Sequence, residues 1–125
     1  MRSVYIHIPF CKSICSYCDF CKMYYNKELS SIYLSYLEKE IDMYYEGDTV
    51  KTIYIGGGTP SSLDTDNLNK LFRIINKFKR SNDIEFTFEC NIDDINDELL
   101  TILKDNHVNR ISIGVESFNK DKLKY

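Results

Sequence analysis

Four short runs of the chain have the residue pattern of β-strands. They are predicted at Val4–Ile8, Thr52–Ile55, Ile84–Cys90 and Arg110–Val115. Between them, apolar residues recur at the spacings of three and four residues that are typical of amphipathic helices. The helices are predicted from about Lys27 to Tyr45, from Asp64 or Thr65 through Phe78, from Asn96 to Asn106, and onward from Asn119. Strands that alternate with helices predict βαβ units and a parallel sheet.

The third and fourth predicted strands alternate strictly between apolar and polar residues. Their apolar positions are Ile84, Phe86, Phe88, Ile111, Ile113 and Val115, and their polar positions include Glu85, Thr87, Glu89, Arg110, Ser112 and Glu116. A strand inside an open sheet covered on both faces is usually apolar on both faces. One polar face on successive parallel strands instead indicates a barrel whose interior holds a polar ligand.

The length supports part of such a barrel. A closed (β/α)₈ barrel takes about 250 residues, or about 31 for each βα unit. The chain has 125 residues and therefore corresponds to about four units. The fold class predicted from the sequence is α/β, with four βα units that do not close a barrel by themselves.

The first helix is predicted to pack through an apolar face that is rich in tyrosine. This face comprises Leu29, Tyr33, Leu37, Ile41 and Tyr44, and the neighbouring Tyr36 and Tyr45 are also expected to pack.

Composition and charge exclude several classes of protein. The formal net charge is −3, with 16 Lys and Arg against 19 Asp and Glu, so a basic nucleic-acid-binding face is not expected. No apolar run approaches the roughly 18 residues that cross a bilayer, and no transmembrane segment is predicted. The start of the chain also lacks a signal-peptide pattern. We therefore expect a cytoplasmic location.

Cysteine spacing is the strongest chemical signal in the chain. Cys11, Cys15 and Cys18 form a C-x₃-C-x₂-C set directly after the first predicted strand. Three thiolates on one short loop can bind three irons of a [4Fe–4S] cluster and leave the fourth iron open to a ligand, whereas electron-transfer clusters normally use four protein thiolates. A zinc site that adds Cys21, or reduced thiols without a metal, is the alternative.

Four segments resemble the motifs of one family. Tyr5–Phe20 resembles the cluster loop of the radical S-adenosylmethionine (SAM) superfamily, in the branch of the oxygen-independent coproporphyrinogen III oxidases and related heme chaperones. Tyr54–Ser61 is similar to the glycine-rich SAM motif of that branch. Glu85–Asn91 and Asn109–Asn119 resemble its third and fourth strand motifs.

The resemblance implies a fold and two cofactors. The implied fold is a partial (β/α)₆ barrel similar to a TIM barrel, of which residues 1–125 would form the N-terminal part of the radical SAM core domain without the C-terminal strands and substrate region. The implied cofactors are a [4Fe–4S] cluster and SAM, from which one electron releases a 5′-deoxyadenosyl radical. A flavodoxin or ferredoxin type of electron donor is also implied.

The resemblance assigns roles to particular residues. Cys11, Cys15 and Cys18 are the implied cluster ligands, and no catalytic residue is assigned. The implied SAM-binding residues are Tyr5, Tyr17, Gly57, Gly58, Thr59, Glu89 and Glu116. Glu89 would accept hydrogen bonds from the ribose hydroxyls. Glu116 matches a position where the family usually has Gln, so it keeps an acceptor but lacks the amide donors.

Three functional interpretations remain open at this point. Cys18-Asp19-Phe20 is similar to the heme-chaperone type, whereas the oxidases carry a further cysteine at the position of Phe20. The favoured interpretation is a radical SAM heme chaperone that also binds heme. The alternatives are an oxygen-independent coproporphyrinogen III dehydrogenase acting on a porphyrinogen, and an inactive truncated remnant.

Overall fold

A computed structural model describes residues 2–11, 23–24 and 26–113, and it describes the side chains of residues 2–10 and 26–113. The predicted helix after Asn119 lies outside the described residues. Cys15, Tyr17, Cys18 and Glu116 lie outside them as well.

Strands and helices alternate along the described chain, as the residue pattern predicts. In chain order they are β1 (Arg2–Ile8), β2 (Phe10–Cys11), β3 (Met23–Tyr24), α1 (Lys27–Tyr44), β4 (Val50–Gly57), α2 (Thr65–Ile75), β5 (Arg80–Cys90), α3 (Asp97–Asp105) and β6 (Arg110–Ile113). Short 3₁₀ turns at Pro60–Ser62 and Ile92–Asp94 follow β4 and β5. The four predicted strands correspond to β1, β4, β5 and β6, and β2 and β3 were not predicted.

Four strands form one parallel sheet in the order β1-β4-β5-β6. The order follows the chain in one direction, and parallel crossovers are right-handed. Because every crossover turns the same way, the helices between these strands lie on the same face of the sheet. The α/β class and the parallel sheet predicted from the sequence are therefore confirmed.

The hydrophobic core lies between this face and the helices. Its strand residues are aliphatic or aromatic and nearly inaccessible: Ile6, Ile8, Ile53, Ile55, Phe86 and Phe88. The helices contribute Leu34, Ile41, Leu68, Leu71, Phe72, Ile74, Ile75, Leu99 and Leu103. Burial of these residues removes apolar area from water. In the described residues, no helix covers the other face of the sheet.

The three helices begin at polar caps. Asn26, Asp64 and Asn96 each accept a hydrogen bond through the side chain from a backbone N–H three residues later. Such caps satisfy one of the free donors in the first turn and are worth about 1 kcal/mol each. The starts predicted at Asp64 and Asn96 are confirmed.

Two details of the helix prediction are wrong. The helix α2 ends at Ile75, and Phe78 lies in the following turn, where its ring meets Tyr45 edge to face at 4.9 Å. The helix α1 buries Ser30, Leu34 and Ile41, whereas Tyr36 and Tyr44 are exposed. The buried face of α1 is thus centred on Ser30, Leu34 and Ile41, and Tyr33, Leu37 and Tyr45 pack against the core from beside it.

None of the described helices is long and apolar enough to cross a membrane. The cytoplasmic location stays a prediction.

Candidate functional site

The face of the sheet opposite the helices is polar, as the alternation predicts. Side chains in register lie side by side across it: Tyr5 with Tyr54, Tyr54 with Thr87, Thr87 with Arg110, and Glu89 with Ser112. The strands are parallel, so their carboxyl ends meet at one edge. In parallel βα folds, ligands bind at this edge.

Glu89 is the best-connected acid on this face. Its Oε2 accepts a hydrogen bond of 2.6 Å from the Tyr54 hydroxyl, and its Oε1 accepts one of 3.2 Å from the Gly57 N–H. Glu89 stands one residue before the end of β5 and is half-buried. Each carboxylate oxygen keeps a free lone pair, so the group can accept further hydrogen bonds from a ligand.

Tyr54 and Tyr5 form a stacked pair on the polar face. Their ring centres are 5.9 Å apart and the rings are inclined by 21°. The Tyr5 hydroxyl lies 3.1 Å from His7 Nδ1, and Tyr5 is 57% exposed. The stack therefore offers an accessible aromatic surface beside Glu89.

Both phenols hold their protons more firmly than a free tyrosine. Burial, followed by the hydrogen bond to Glu89, raises the pKa of Tyr54, and the hydroxyl of Ser112 opposes this rise. Burial, followed by the charge of Glu89, raises the pKa of Tyr5. Tyr54 is therefore a stable hydrogen-bond donor at neutral pH.

Two glycines lie where β4 ends, at positions that leave little room for a side chain. A Cβ at Gly56 would lie 2.8 Å from Tyr54 Cε1 and 2.9 Å from Glu89 Oε1. A Cβ at Gly57 would lie 2.7 Å from His7 Nδ1 and 2.8 Å from the carbonyl oxygen of Ile8, and the φ angle of Gly57 is +116°. Gly57 is also a donor to Glu89, so the glycine motif both makes space for the carboxylate and binds it.

The glycine motif is also joined to the chain that leads into the cysteines. The Gly58 N–H donates to the Ile8 carbonyl at 2.7 Å, and the Thr59 N–H donates to the Phe10 carbonyl at 2.8 Å. Phe10 and Cys11 form β2, which pairs in parallel with β3. The structure thus places the first predicted cluster ligand next to the glycine motif.

The other two predicted cluster ligands, Cys15 and Cys18, lie outside the described residues, and only the backbone of Cys11 is described. Among the described side chains, no three His, Cys, Asp or Glu residues converge as a metal site. Ligation of a cluster by Cys11, Cys15 and Cys18 stays a prediction.

Cys90 lies on the other face of the sheet from the polar site. Its side chain is 1% exposed and belongs to the hydrophobic core. Burial, followed by the charges of Asp94 and Glu89, raises the pKa of its thiol to about 12. The thiolate is the form that binds metals, so this environment disfavours Cys90 as a metal ligand.

Sequence reasoning placed Ser112 on the polar face of its strand, but it assigned no role in the site to Tyr54 or Ser112. The alternation of Thr52, Tyr54 and Gly56 in β4 could have identified Tyr54, because these residues lie on the face opposite Ile53 and Ile55. Of the predicted SAM-binding residues, the structure brings together Tyr5, Gly57 and Glu89. Gly58 and Thr59 follow in the same loop, and Tyr17 and Glu116 lie outside the described residues.

The described residues fit the ribose and the adenine of SAM. Glu89 offers a fixed carboxylate with free lone pairs for hydroxyl donors, and Tyr5 offers an exposed ring for stacking. Glycine at 56 and 57 keeps the space beside the carboxylate open.

Comparisons with known proteins show the family of the chain. The model of the radical SAM superfamily matches residues 5–125. The heme chaperone HemW of Bacillus subtilis is 48% identical over 128 residues, which cover 98% of this chain and 34% of the chaperone. The oxygen-independent coproporphyrinogen III oxidase of Escherichia coli is 32% identical over 124 residues, which cover 95% of this chain and 27% of the oxidase.

A solved structure has the same fold. The coproporphyrinogen III oxidase HemN from Escherichia coli, which is described as a radical SAM enzyme, superimposes with a TM-score of 0.81 at 31% identity. The match covers 90% of this chain and 27% of that one. The chain thus spans about a third of the length of the curated relatives that it matches.

Proposed function

Because the chain belongs to the radical SAM superfamily, we propose that it is the N-terminal part of a radical SAM protein of the heme-chaperone type. The observation that carries this proposal is the Glu89 carboxylate, held by Tyr54 and Gly57 at the carboxyl edge of a parallel sheet. The same edge holds the backbone of Cys11, through the contacts of Gly58 and Thr59 with the chain before it.

The proposed cluster ligands are Cys11, Cys15 and Cys18. When bound, a [4Fe–4S] cluster with an open iron supplies one electron to the sulfonium of SAM. The residues of this chain would hold the two groups close together, which is the main contribution a protein makes to such a transfer. The electron donor would be a flavodoxin or ferredoxin.

The proposed SAM site lies on the polar face. Glu89 would accept hydrogen bonds from the two ribose hydroxyls, with Gly57, Gly58 and Thr59 along one side of the ligand and Tyr5 beside it. Tyr17 and Glu116 are the further proposed contacts, taken from their positions in the motifs.

The proposed function of the whole protein is that of a heme chaperone, with heme as its ligand. The second candidate function is that of a coproporphyrinogen III oxidase. The identity of 48% with a heme chaperone against 32% with an oxidase favours the first. Phe20 at the position of an oxidase cysteine supports the same choice.

The test of the SAM site replaces one carboxylate at a time in the native protein. Glu89→Gln should weaken equilibrium binding of SAM by about tenfold or more, because hydrogen bonds to an ionised acceptor are the stronger ones. Glu85→Gln is the matched control, since Glu85 lies on the same face of β5 and pairs with Arg110. Equal binding by the two variants would contradict the proposed site.

A second test distinguishes a heme chaperone from an oxidase by offering the same protein heme and coproporphyrinogen III. We expect the native protein to bind heme and to leave coproporphyrinogen III unconverted. Formation of protoporphyrinogen IX would instead assign it to the oxidases.

A further inference from the structure

We propose that Tyr54 is a positioning residue of the site, and that its hydroxyl fixes the Glu89 carboxylate in the orientation in which it accepts hydrogen bonds from a ribose diol. The inference rests on the proposed function, which makes Glu89 the ribose acceptor. Tyr54 is assigned no contact with SAM itself.

The two donors to Glu89 differ in strength. The bond from Tyr54 is 2.6 Å long, within the range of short hydrogen bonds from a hydroxyl to a charged oxygen. The bond from the Gly57 N–H is 3.2 Å long, at the weak end of the range for an amide donor. Tyr54 is therefore the stronger restraint on the carboxylate.

Tyr54 is itself held from three sides. Its backbone lies in β4, which pairs with β1 on one side and β5 on the other. Its ring stacks on Tyr5. A donor whose own rotamer is fixed loses little entropy when it orients an acceptor.

Gly56 leaves the space in which this contact is made. A Cβ at this position would approach both partners, Tyr54 Cε1 at 2.8 Å and Glu89 Oε1 at 2.9 Å. A side chain there would therefore push apart the two groups that the hydrogen bond joins. The glycine motif thus helps to hold the Glu89 carboxylate in two ways. Gly56 leaves room for the contact with Tyr54, and Gly57 donates its N–H.

Glu85 is a carboxylate on the same face that is held by a cation and not by a tyrosine hydroxyl. It lies on β5 four residues before Glu89, is exposed, and is paired with the guanidinium of Arg110. Glu89 has instead a neutral phenol and a backbone N–H as its donors. A neutral donor orients the carboxylate without cancelling its charge.

The first test needs no ligand. In the native protein labelled with ¹³C at tyrosine Cζ, the pKa of Tyr54 should lie above the ordinary value of 10.0 and should fall in Glu89→Gln, because the carboxylate stabilises the protonated phenol. Glu85→Gln should leave the pKa of Tyr54 where it was. An unchanged pKa in Glu89→Gln would overturn the proposed contact.

The second test measures SAM affinity. Tyr54→Phe keeps the stacked ring and removes the hydroxyl, and it should weaken SAM binding by about tenfold, the loss expected for one hydrogen bond to a charged group. Tyr36→Phe, the same change at an exposed tyrosine of α1, should bind like the unaltered protein. In Glu89→Gln, the added Tyr54→Phe change should cause little further loss of SAM affinity, because both substitutions remove the same hydrogen bond between Tyr54 and Glu89.

The outcomes separate the two proposals. If SAM binds normally to Tyr54→Phe, or if the two losses simply add, the positioning role falls and the SAM site stands. If the unaltered protein binds no SAM, the proposed function fails and with it the role of Tyr54 in SAM binding, while the titration still decides whether Tyr54 holds Glu89.

Discussion

Among single residues, Gly57 has the most restricted environment in the site. Its φ angle of +116° is a conformation that residues with a side chain rarely adopt, and a Cβ would also press on the His7 ring and the Ile8 carbonyl. The N–H of Gly57 must keep its place because it donates to Glu89. Backbone strain, packing and binding therefore coincide at one residue.

We predict that Gly57→Ala lowers the free energy of unfolding by about 2 kcal/mol or more, the sum of strain at a positive φ angle and a steric contact. Gly47→Ala is the control, because Gly47 also has a positive φ angle, +91°, but a Cβ there meets nothing within 4 Å. Denaturant unfolding of both variants measures the difference. Equal losses would show that no steric contact exists at Gly57.

Cys90 is expected to be unreactive in the folded protein. With a thiol pKa of about 12, it carries almost no thiolate at neutral pH. Iodoacetamide should therefore add the same number of labels to the native protein and to Cys90→Ser, and one label fewer to Cys90→Ser after denaturation. A missing label in the native variant would contradict the buried position.

The raised pKa of Cys90 also has a consequence for stability. The folded state keeps the thiol protonated above its ordinary pKa of 9.0, so its contribution to folding is complete below pH 9.0 and is lost as the pH rises toward about 12. Replacement by serine should remove this part of the alkaline loss of stability.

Among the elements, β6 is attached to β5 partly through the residue that precedes it. The Asn109 side chain accepts from the Phe86 N–H at 2.8 Å and donates to the Ile84 carbonyl at 2.7 Å, so it extends the β5–β6 ladder by side-chain contacts. The polar face needs β6 in place because Ser112 of β6 lies beside Glu89 in the sheet.

We predict that Asn109→Ala lowers the free energy of unfolding by about 1 to 2 kcal/mol, since it leaves two backbone groups of β5 without this partner. Amide hydrogen exchange of Phe86 and of β6 should accelerate most. Asn82→Ala, at an exposed position of β5, serves as the control. Unchanged exchange at Phe86 would contradict the proposed attachment of β6.

Strands and helix starts could be predicted from the sequence because both depend on local patterns. The alternation of Glu85, Thr87 and Glu89 identifies the polar face without knowledge of any neighbour. The face of α1 could not be derived in this way, since the burial of Ser30 depends on the surrounding elements. The contact between Tyr54 and Glu89 was also missed because it joins residues 35 positions apart.

At the scale of the whole molecule, the sheet has two unpaired edges within the described residues. There, β1 pairs only with β4, and β6 pairs only with β5. Ile111 and Ile113 of β6 are 42% and 43% exposed although they lie on the apolar face. Unpaired edges and exposed apolar residues favour association with other chains.

We therefore predict that the 125-residue chain on its own is prone to aggregation and produces no 5′-deoxyadenosine above a Cys15→Ser control under dithionite. Size-exclusion chromatography and product analysis after anaerobic reconstitution check both parts. A monodisperse monomer that cleaves SAM would show that four βα units suffice.

The central claim is that Cys11, Cys15 and Cys18, spaced C-x₃-C-x₂-C, hold a [4Fe–4S] cluster. Iron analysis after anaerobic reconstitution tests it most directly, and we expect about four irons per chain in the unaltered protein and in Cys21→Ser. Cys15→Ser should lose the cluster. Retention of the cluster in Cys15→Ser together with its loss in Cys21→Ser would contradict the claim.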